Sequence, residues 1–183
     1  MKIEYAGTAW HQADDSSEAR AASEILDGVW RESTTQYVGI REARLQQGLR
    51  EPKGFQQILN KNIEARFESA GWDGNGGRYR FRDFWLRITF RHQMSIGSDF
   101  LDALRMDRKE GVKLSAICAC PLDVLRIISP NDATVMTSFE KLKLQAAVLN
   151  GVIDVPLMLG ALVPNSEISS AVLDKLLLPR PRN

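Results

Sequence analysis

Arginine dominates one short stretch of the chain, RYRFRDFWLRITFRH, which covers residues 78–92. Five arginines stand in it: Arg78, Arg80, Arg82, Arg87 and Arg91. A guanidinium group keeps its positive charge in proteins and presents a planar fork of N–H donors that matches a phosphate or a carboxylate. The residue types therefore predict that this stretch contacts anions.

Apolar and polar residues alternate in the same stretch, as they do in a β-strand. One face carries Phe84, Leu86, Ile88 and Phe90, and the other carries Asp83, Trp85, Arg87, Thr89 and Arg91. We predict one strand over residues 79–91, whose arginines either bind a phosphate or lie at a solvent-facing edge of the sheet. In the second case Arg87 pairs with Asp83, and such surface pairs contribute little to stability.

A second basic segment lies between residues 41 and 53. Its cations are Arg41, Arg44, Arg50 and Lys53. Gln46, Gln47 and Gln56 accompany them, and amide side chains can hydrogen-bond base edges or phosphate. Residues 34–50 are polar and basic, which predicts a loop or an exposed short helix. The segment is either a nucleic-acid contact or an ordinary solvated surface.

The overall composition is that of a soluble globular protein, with 44% hydrophobic and 26% charged residues in 183. Because the formal net charge is only +1, affinity for a polyanion must come from local clusters of Lys and Arg. The spacing of Cys118 and Cys120 suits neither a CxxC redox pair nor a zinc site. The two histidines, His11 and His92, are too isolated for a catalytic triad. We therefore expect no metal site.

The first twenty residues lack the apolar segment of a secretory signal. The longest apolar run, residues 152–163, is short and interrupted by proline. We therefore expect a cytoplasmic protein that does not associate with membranes.

The pattern along the chain predicts one domain, residues 1–183, in three parts. Residues 1–71 are mainly helical, with helices in 16–33 and 53–71. Residues 72–164 alternate strand and helix, with a glycine turn at DGNGG, a helix capped by Ser98 and another with a Thr137–Glu140 capping box. Residues 165–183 form a last helix and tail. This order predicts an α/β fold with a mixed sheet flanked by helices.

From about residue 60 to 164 the chain resembles the restriction endonucleases BglII and BstYI of the PD-(D/E)XK nuclease superfamily. The resemblance rests on IEARFESAGW, a charged core strand ending in Phe90, a helix, the strand VKLSAICAC, a helix beginning near Ser138, and IDVPLMLGALVP. It implies a restriction-endonuclease-like fold, a homodimer on duplex DNA, and a role in a prokaryotic defence or mobile-element system. It also implies phosphodiester hydrolysis that depends on Mg²⁺.

The acidic metal ligands of that family are replaced in this chain. When the family pattern is placed through Phe90, its Asp falls on Arg78, its Glu on Arg87 and its Gln on Thr89. A guanidinium repels Mg²⁺ and cannot ligate it. We therefore expect no catalytic residue, no metal and no cofactor, but a DNA-binding or complex-forming protein. The expected nucleic-acid contacts are Arg78, Arg80, Arg87, Thr89, Arg91, Arg41, Arg44 and Lys53.

Two other functions stay open from the sequence. In the first, the protein is an active Mg²⁺-dependent endonuclease whose displaced ligands are Asp83, Glu64 or Glu68. In the second, it is a scaffold whose basic face docks an acidic protein partner in a complex. The segment 100–106 is either core or a dimer surface.

Overall fold

The computed structural model describes residues 1–6, 16–50, 52 and 54–164 of the chain. The first elements are β1 (Lys2–Ala6), α1 (Ser17–Ile25), α2 (Val29–Gln46), α3 (Phe55–Ser69), β2 (Asp73–Asn75), β3 (Arg78–Phe81) and β4 (Phe84–Thr89). After a 3-10 turn (Gln93–Ser95) follow α4 (Ile96–Glu110), β5 (Leu114–Ala119), α5 (Leu122–Ile128), α6 (Phe139–Val148) and β6 (Leu157–Val163). Lys53 and the helix and tail expected over residues 165–183 lie outside the described residues.

The strands form one mixed sheet in the order β1-β6-β5-β4-β3-β2. β4, β5 and β6 are parallel, whereas β1 is antiparallel to β6 and the β2–β3 hairpin continues antiparallel from β4. Parallel neighbours need crossover connections. α4 connects β4 to β5, and α5 with α6 connects β5 to β6. The predicted class, a single α/β domain with a mixed sheet flanked by helices, is confirmed.

Both faces of the sheet are covered, each by its own hydrophobic core. One core joins α1, α2 and α3 to the face that carries Leu86 and Ile88. The other joins α4 and α6 to the face that carries Trp85. The predicted alternation along residues 84–90 is therefore confirmed. Because α4 covers the Trp85 face, Arg87 on that face is buried and does not lie at a solvent-facing edge.

The arginine-rich stretch is a hairpin and not the single strand that its alternation predicts. β3 and β4 pair antiparallel with Phe81 opposite Phe84, so Arg82 and Asp83 form a two-residue turn. Arg82 adopts a φ of 55°. An arginine seldom adopts this conformation, and the residue types of the turn do not predict it. The glycine turn was predicted correctly: Gly76 and Gly77 have positive φ and connect β2 to β3.

The basic segment after residue 34 belongs to a long helix and not to a loop or a short helix. α2 continues to Gln46, although only its first turns are buried, at Val29, Trp30, Ser33 and Thr34. The second half has no apolar stripe, which is the feature that identifies a helix in a sequence. Arg41 and Arg44 are therefore held on a helix.

Several element boundaries also differ from the predicted ones. Residues 1–71 contribute the edge strand β1, whose five residues are too few for alternation to stand out. α4 begins before Ser98, at Ile96. The cap of α6 is Ser138 and not Thr137, since the Ser138 hydroxyl accepts a hydrogen bond from the Lys141 N–H. α5 was not predicted.

The segment 100–106 lies in α4 and belongs largely to the second core. Phe100 and Ala103 are buried there, whereas Leu101 is exposed.

Among the helices of the described residues, none is both long and apolar enough to cross a bilayer.

Close packing of β6 against its neighbours generates a testable prediction at Gly160. A Cβ at this position of β6 would overlap the Cys118 sulfur and lie 2.6 Å from a methyl carbon of Ile3. We expect Gly160→Ala to lower the free energy of unfolding by about 1–3 kcal/mol, as overpacked cores do. Urea denaturation followed by circular dichroism measures it.

Gly39 provides the matched control because a Cβ there meets no atom within 4 Å. It lies inside α2, so Gly39→Ala should be neutral or raise stability by about 0.5–1 kcal/mol. Equal stability of the two variants would contradict the packing of β6 between β1 and β5.

Candidate functional site

A cavity of about 140 Å³ opens beside the end of β4. It exists because β3 begins at Arg78, opposite Arg87, so the last residues of β4 have no strand beside them on that edge. The glycine turn closes one side, where the Ile88 N–H donates to the Gly77 carbonyl at 2.8 Å. α3 closes another, where the Gln56 amide donates to the Phe90 carbonyl at 3.3 Å. The polar lining residues are Gln56, Asn60, Glu64, Arg87 and Arg91.

Arg87 reaches the cavity from the interior of the protein. Its side chain is only 3% exposed. Its Nε donates to Oδ1 of Asp99 at 3.0 Å, and its Nη1 donates to the Gly76 carbonyl at 2.9 Å. Burial lowers the pKa of Arg87 from its ordinary value, and the Asp99 carboxylate opposes that shift. The group stays charged at neutral pH because an arginine pKa starts so high.

Asp99 holds a second guanidinium with the same oxygen. It is fully buried in the first turn of α4, where the helix dipole favours a negative charge. Arg91 Nη1 donates to Asp99 Oδ1 at 3.1 Å. The other oxygen, Oδ2, has no hydrogen-bond partner within the described part of the chain. One buried carboxylate therefore orients two cations at the cavity.

The remaining arginines of the sheet also pair with α4. Arg78 Nη2 lies 2.8 Å from Asp102 Oδ2, and Arg80 Nη2 donates to the Glu110 carbonyl at 3.0 Å. In the register of the sheet Arg78 stands directly opposite Arg87. The arginines of β3 and β4 thus bind a row of acceptors along one side of α4.

The predicted pairing of Arg87 with Asp83 is wrong. Asp83 lies in the turn before β4, where its Oδ2 is 2.7 Å from Nζ of Lys113. Both side chains are exposed, and the hydrogen bond from Lys113 lowers the pKa of Asp83. Asp83 and the cavity are at opposite ends of β4, about 17 Å apart at 3.3 Å per residue.

The acids proposed as displaced metal ligands are therefore not brought together. Glu64 lines the cavity, whereas Glu68 is exposed one turn further along α3 and Asp83 lies beyond the far end of β4. Among the described residues no three Asp, Glu, His or Cys side chains converge in a group that could hold a metal ion.

The arginines among the predicted nucleic-acid contacts divide into three groups. Arg87 and Arg91 meet at the cavity, while Arg78 and Arg80 lie outside it on the same face of the sheet. Thr89 is fully buried and accepts a hydrogen bond from the Arg91 N–H at 3.4 Å, so it supports Arg91 and has no access to a ligand.

The third group, Arg41 and Arg44, lies at the cavity end of the α2–α3 pair. The two helices are antiparallel: Arg66 bonds Glu32 at 3.1 Å, and the rings of Tyr37 and Phe55 are 5.6 Å apart. Arg41 and Arg44 follow Tyr37 by one and two turns on the same helix face. They therefore extend past the start of α3, the end from which Gln56 reaches the cavity.

Sequence reasoning missed Asp99 and Asn60. Asp99 is twelve residues from Arg87, on another layer, and its acidic type in a first helical turn is the ordinary signature of a helix start. No sequence signal relates it to the arginines. Asn60 lies one turn after Gln56 on α3. Sequence reasoning on this segment considered the apolar stripe beside Asn60 and not Asn60 itself.

Comparisons of the chain with protein-family models, with curated proteins and with solved structures find no match. The likeness to BglII and BstYI therefore rests on the residue pattern of 60–164 alone. Between β4 and β6 the chain forms α4, β5, α5 and α6 in that order.

The shared carboxylate gives a second prediction. Asp99→Asn should lower the free energy of unfolding by about 3–5 kcal/mol, because the buried Arg87 keeps its charge and loses its counter-ion. Urea denaturation at neutral pH measures the difference.

Asp83→Asn is the matched control, since it makes the same chemical change in an exposed pair. Its stability should equal that of the unmodified protein within error. If Asp99→Asn were equally harmless, the buried pair would not be what holds α4 on the sheet.

Proposed function

We propose that this protein binds the phosphate backbone of a nucleic acid without cleaving it. The binding surface runs from the cavity rim, at Arg91, to Arg41 and Arg44 on α2. One observation carries the proposal: Arg87 and Arg91 share a single oxygen of Asp99 at the mouth of one cavity. By the resemblance, duplex DNA is the proposed ligand and a prokaryotic defence or mobile-element system the proposed setting.

The charge balance at the rim supports an anion contact. Arg87 and Arg91 share the single carboxylate of Asp99, so these three groups together carry one net positive charge, and Glu64 is the acidic group in the cavity lining. The side chain of Arg91 is 41% exposed, and only its Nη1 is engaged with Asp99. Its other N–H groups can form the charge-assisted fork that phosphate accepts. Because Asp99 already orients the side chain, less conformational entropy is lost on binding.

The α2 arginines lengthen the contact. A nucleic-acid strand that touches Arg91 and continues past the start of α3 meets Arg41 and Arg44 next. Gln56, between them and the rim, offers an amide oxygen to the same strand. Several phosphates in a row give affinity that falls steeply as salt is added.

The residues at the family's acid positions support binding without hydrolysis. Arg78 and Arg87 occupy the Asp and Glu positions of the resemblance, and they are cross-strand neighbours. Two fixed cations on neighbouring strands repel a divalent metal. The acids that these cations contact, Asp99 and Asp102, are bound to the guanidiniums, and among the described residues no three Asp, Glu, His or Cys side chains converge to hold the Mg²⁺ that would activate water.

The third prediction tests the backbone contact. Arg91→Glu should weaken binding of a short DNA duplex by about tenfold or more and reduce the salt dependence by about one phosphate contact. Fluorescence anisotropy across a salt series measures both. Arg91 is the better target than Arg87 because a charge reversal at the buried Arg87 would disrupt the core.

Arg108→Glu is the control, since it makes the same charge change on α4 where Arg108 pairs with exposed Asp154. It should leave affinity unchanged. Equal losses in both variants would mean that only net charge matters. Nicking of plasmid DNA with Mg²⁺ or Mn²⁺, abolished by Glu64→Gln, would replace the proposal with the active endonuclease.

A second candidate, a complex-forming protein, is favoured by an apolar stripe. Leu144 and Val148 lie four residues apart on one face of α6 and are about 70% exposed, and Val152, equally exposed, follows the helix after a turn. Contiguous exposed apolar residues mark surfaces for protein contact. By the resemblance the partner is a second copy of the chain.

The fourth prediction tests this stripe. Leu144→Lys should turn an associated species into a monomer in sedimentation equilibrium, because a charge cannot be buried in the contact without a partner. Leu101→Lys is the control, as Leu101 is similarly exposed, at 66%, on α4. A monomer before any substitution would exclude self-association through the stripe.

A further inference from the structure

The interior of the cavity contains acceptors as well as donors, which a phosphate does not require. Within the described part of the chain, Glu64 Oε1 receives only a long hydrogen bond from the Gly76 N–H, at 3.4 Å. Gln56 uses its amide nitrogen for the Phe90 carbonyl, which leaves its oxygen for a ligand. A carboxylate beside the two arginines repels a phosphate placed deep in the cavity. The interior therefore suits a ligand with donor and acceptor edges.

The walls and the volume suit one flat ring. The apolar lining consists of Ile63, Tyr79, Ile88 and Phe90. Burial raises the pKa of Tyr79 to about 12, so this side chain stays neutral. The volume is about 140 Å³, and a cavity of roughly 150 Å³ lined by apolar side chains accommodates a benzene ring. A single six-membered ring fits this space, and a purine exceeds it.

We propose that the cavity receives one cytosine base, either turned out of a nucleic-acid strand or belonging to a free nucleotide. This inference rests on the proposed nucleic-acid binding. Cytosine presents an amino donor at N4 beside acceptors at N3 and O2. Glu64 accepts from N4, as carboxylates do with this base. The described residues bind Arg87 through Nε and Nη1, and its Nη2 donates to the ring acceptors.

The same groups discriminate against the other pyrimidine. Thymine and uracil carry an oxygen at position 4, which would face the Glu64 carboxylate as a second acceptor. A mismatch of this kind leaves both groups unsatisfied in a partly buried site. Arg91 lies at the rim, where it reaches the phosphate attached to the inserted nucleotide. The backbone contact thus lies at the rim of the cavity, and the base contact lies behind it in the interior.

Removing a base from its stack costs a few kcal/mol, least in a single strand. The test therefore uses a short single-stranded thymidine oligomer and the same oligomer with one central cytidine. Fluorescence anisotropy should show about tenfold tighter binding of the strand that contains cytidine. Glu64→Gln should remove this preference without weakening the affinity for the thymidine oligomer, because a Gln side chain is neutral and offers either an acceptor or a donor.

Glu68→Gln is the matched control, since it makes the same change one turn along α3 and outside the cavity. It should retain the preference for cytidine. Circular dichroism verifies that both variants are folded. Calorimetry with cytidine monophosphate and uridine monophosphate forms a second arm, which separates a free nucleotide from a base within a strand.

Each outcome decides the question. A cytidine preference in the strand that Glu64→Gln abolishes supports insertion of a base from nucleic acid. Binding of cytidine monophosphate alone, with the same dependence on Glu64, supports a free nucleotide. Equal affinity for both oligomers without nucleotide binding overturns the base site and leaves the backbone contact standing. Absence of binding to these oligomers and nucleotides overturns the base site, while binding of the DNA duplex decides the backbone contact separately.

Discussion

The ion pair between Arg87 and Asp99 is the constraint on which the rest of the structure depends. Both side chains are buried between the sheet and α4, and a charge in that position is tolerated only with a partner. Asp99 is stabilised in turn by the start of α4 and by a second guanidinium, from Arg91. The pair therefore fixes where α4 lies on the sheet, and it determines which way Arg91 points.

The candidate site follows from that arrangement and from the length of β3. Since β3 begins opposite Arg87, the end of β4 is left open, and α3 with the glycine turn encloses a cavity there. Arg87 enters it from the core and Arg91 borders it from the surface. The site thus joins a rigid buried cation to an exposed one, with Glu64 and two amides opposite. Such a mixture favours a ligand that carries both a negative group and a ring with donors and acceptors.

Part of this site was visible in the sequence. The arginine types and the alternation along β4 indicated anion contact and placed Arg87 and Arg91 on one face, and the structure brings both to the cavity. Glu64 was considered only as a metal ligand, a role for which the structure supplies no neighbouring acids within the described residues. Asp99 was not considered. Sequence reasoning therefore missed the reason that so many arginines stand in a core strand, which is that they bind α4.

The sequence by itself determined the α/β class and several of the local elements, because alternation, caps and glycine turns act between residues a few positions apart. Its apolar positions also decided which side of β4 meets α3. Only the tertiary structure decided that Arg87 pairs with Asp99 and not with Asp83. Both acids are near in sequence, but the packing of α4 across the sheet brings one onto Arg87, whereas strand geometry carries the other to the far end of β4. Ion-pair partners are chosen by that three-dimensional packing, and spacing along the chain does not encode it.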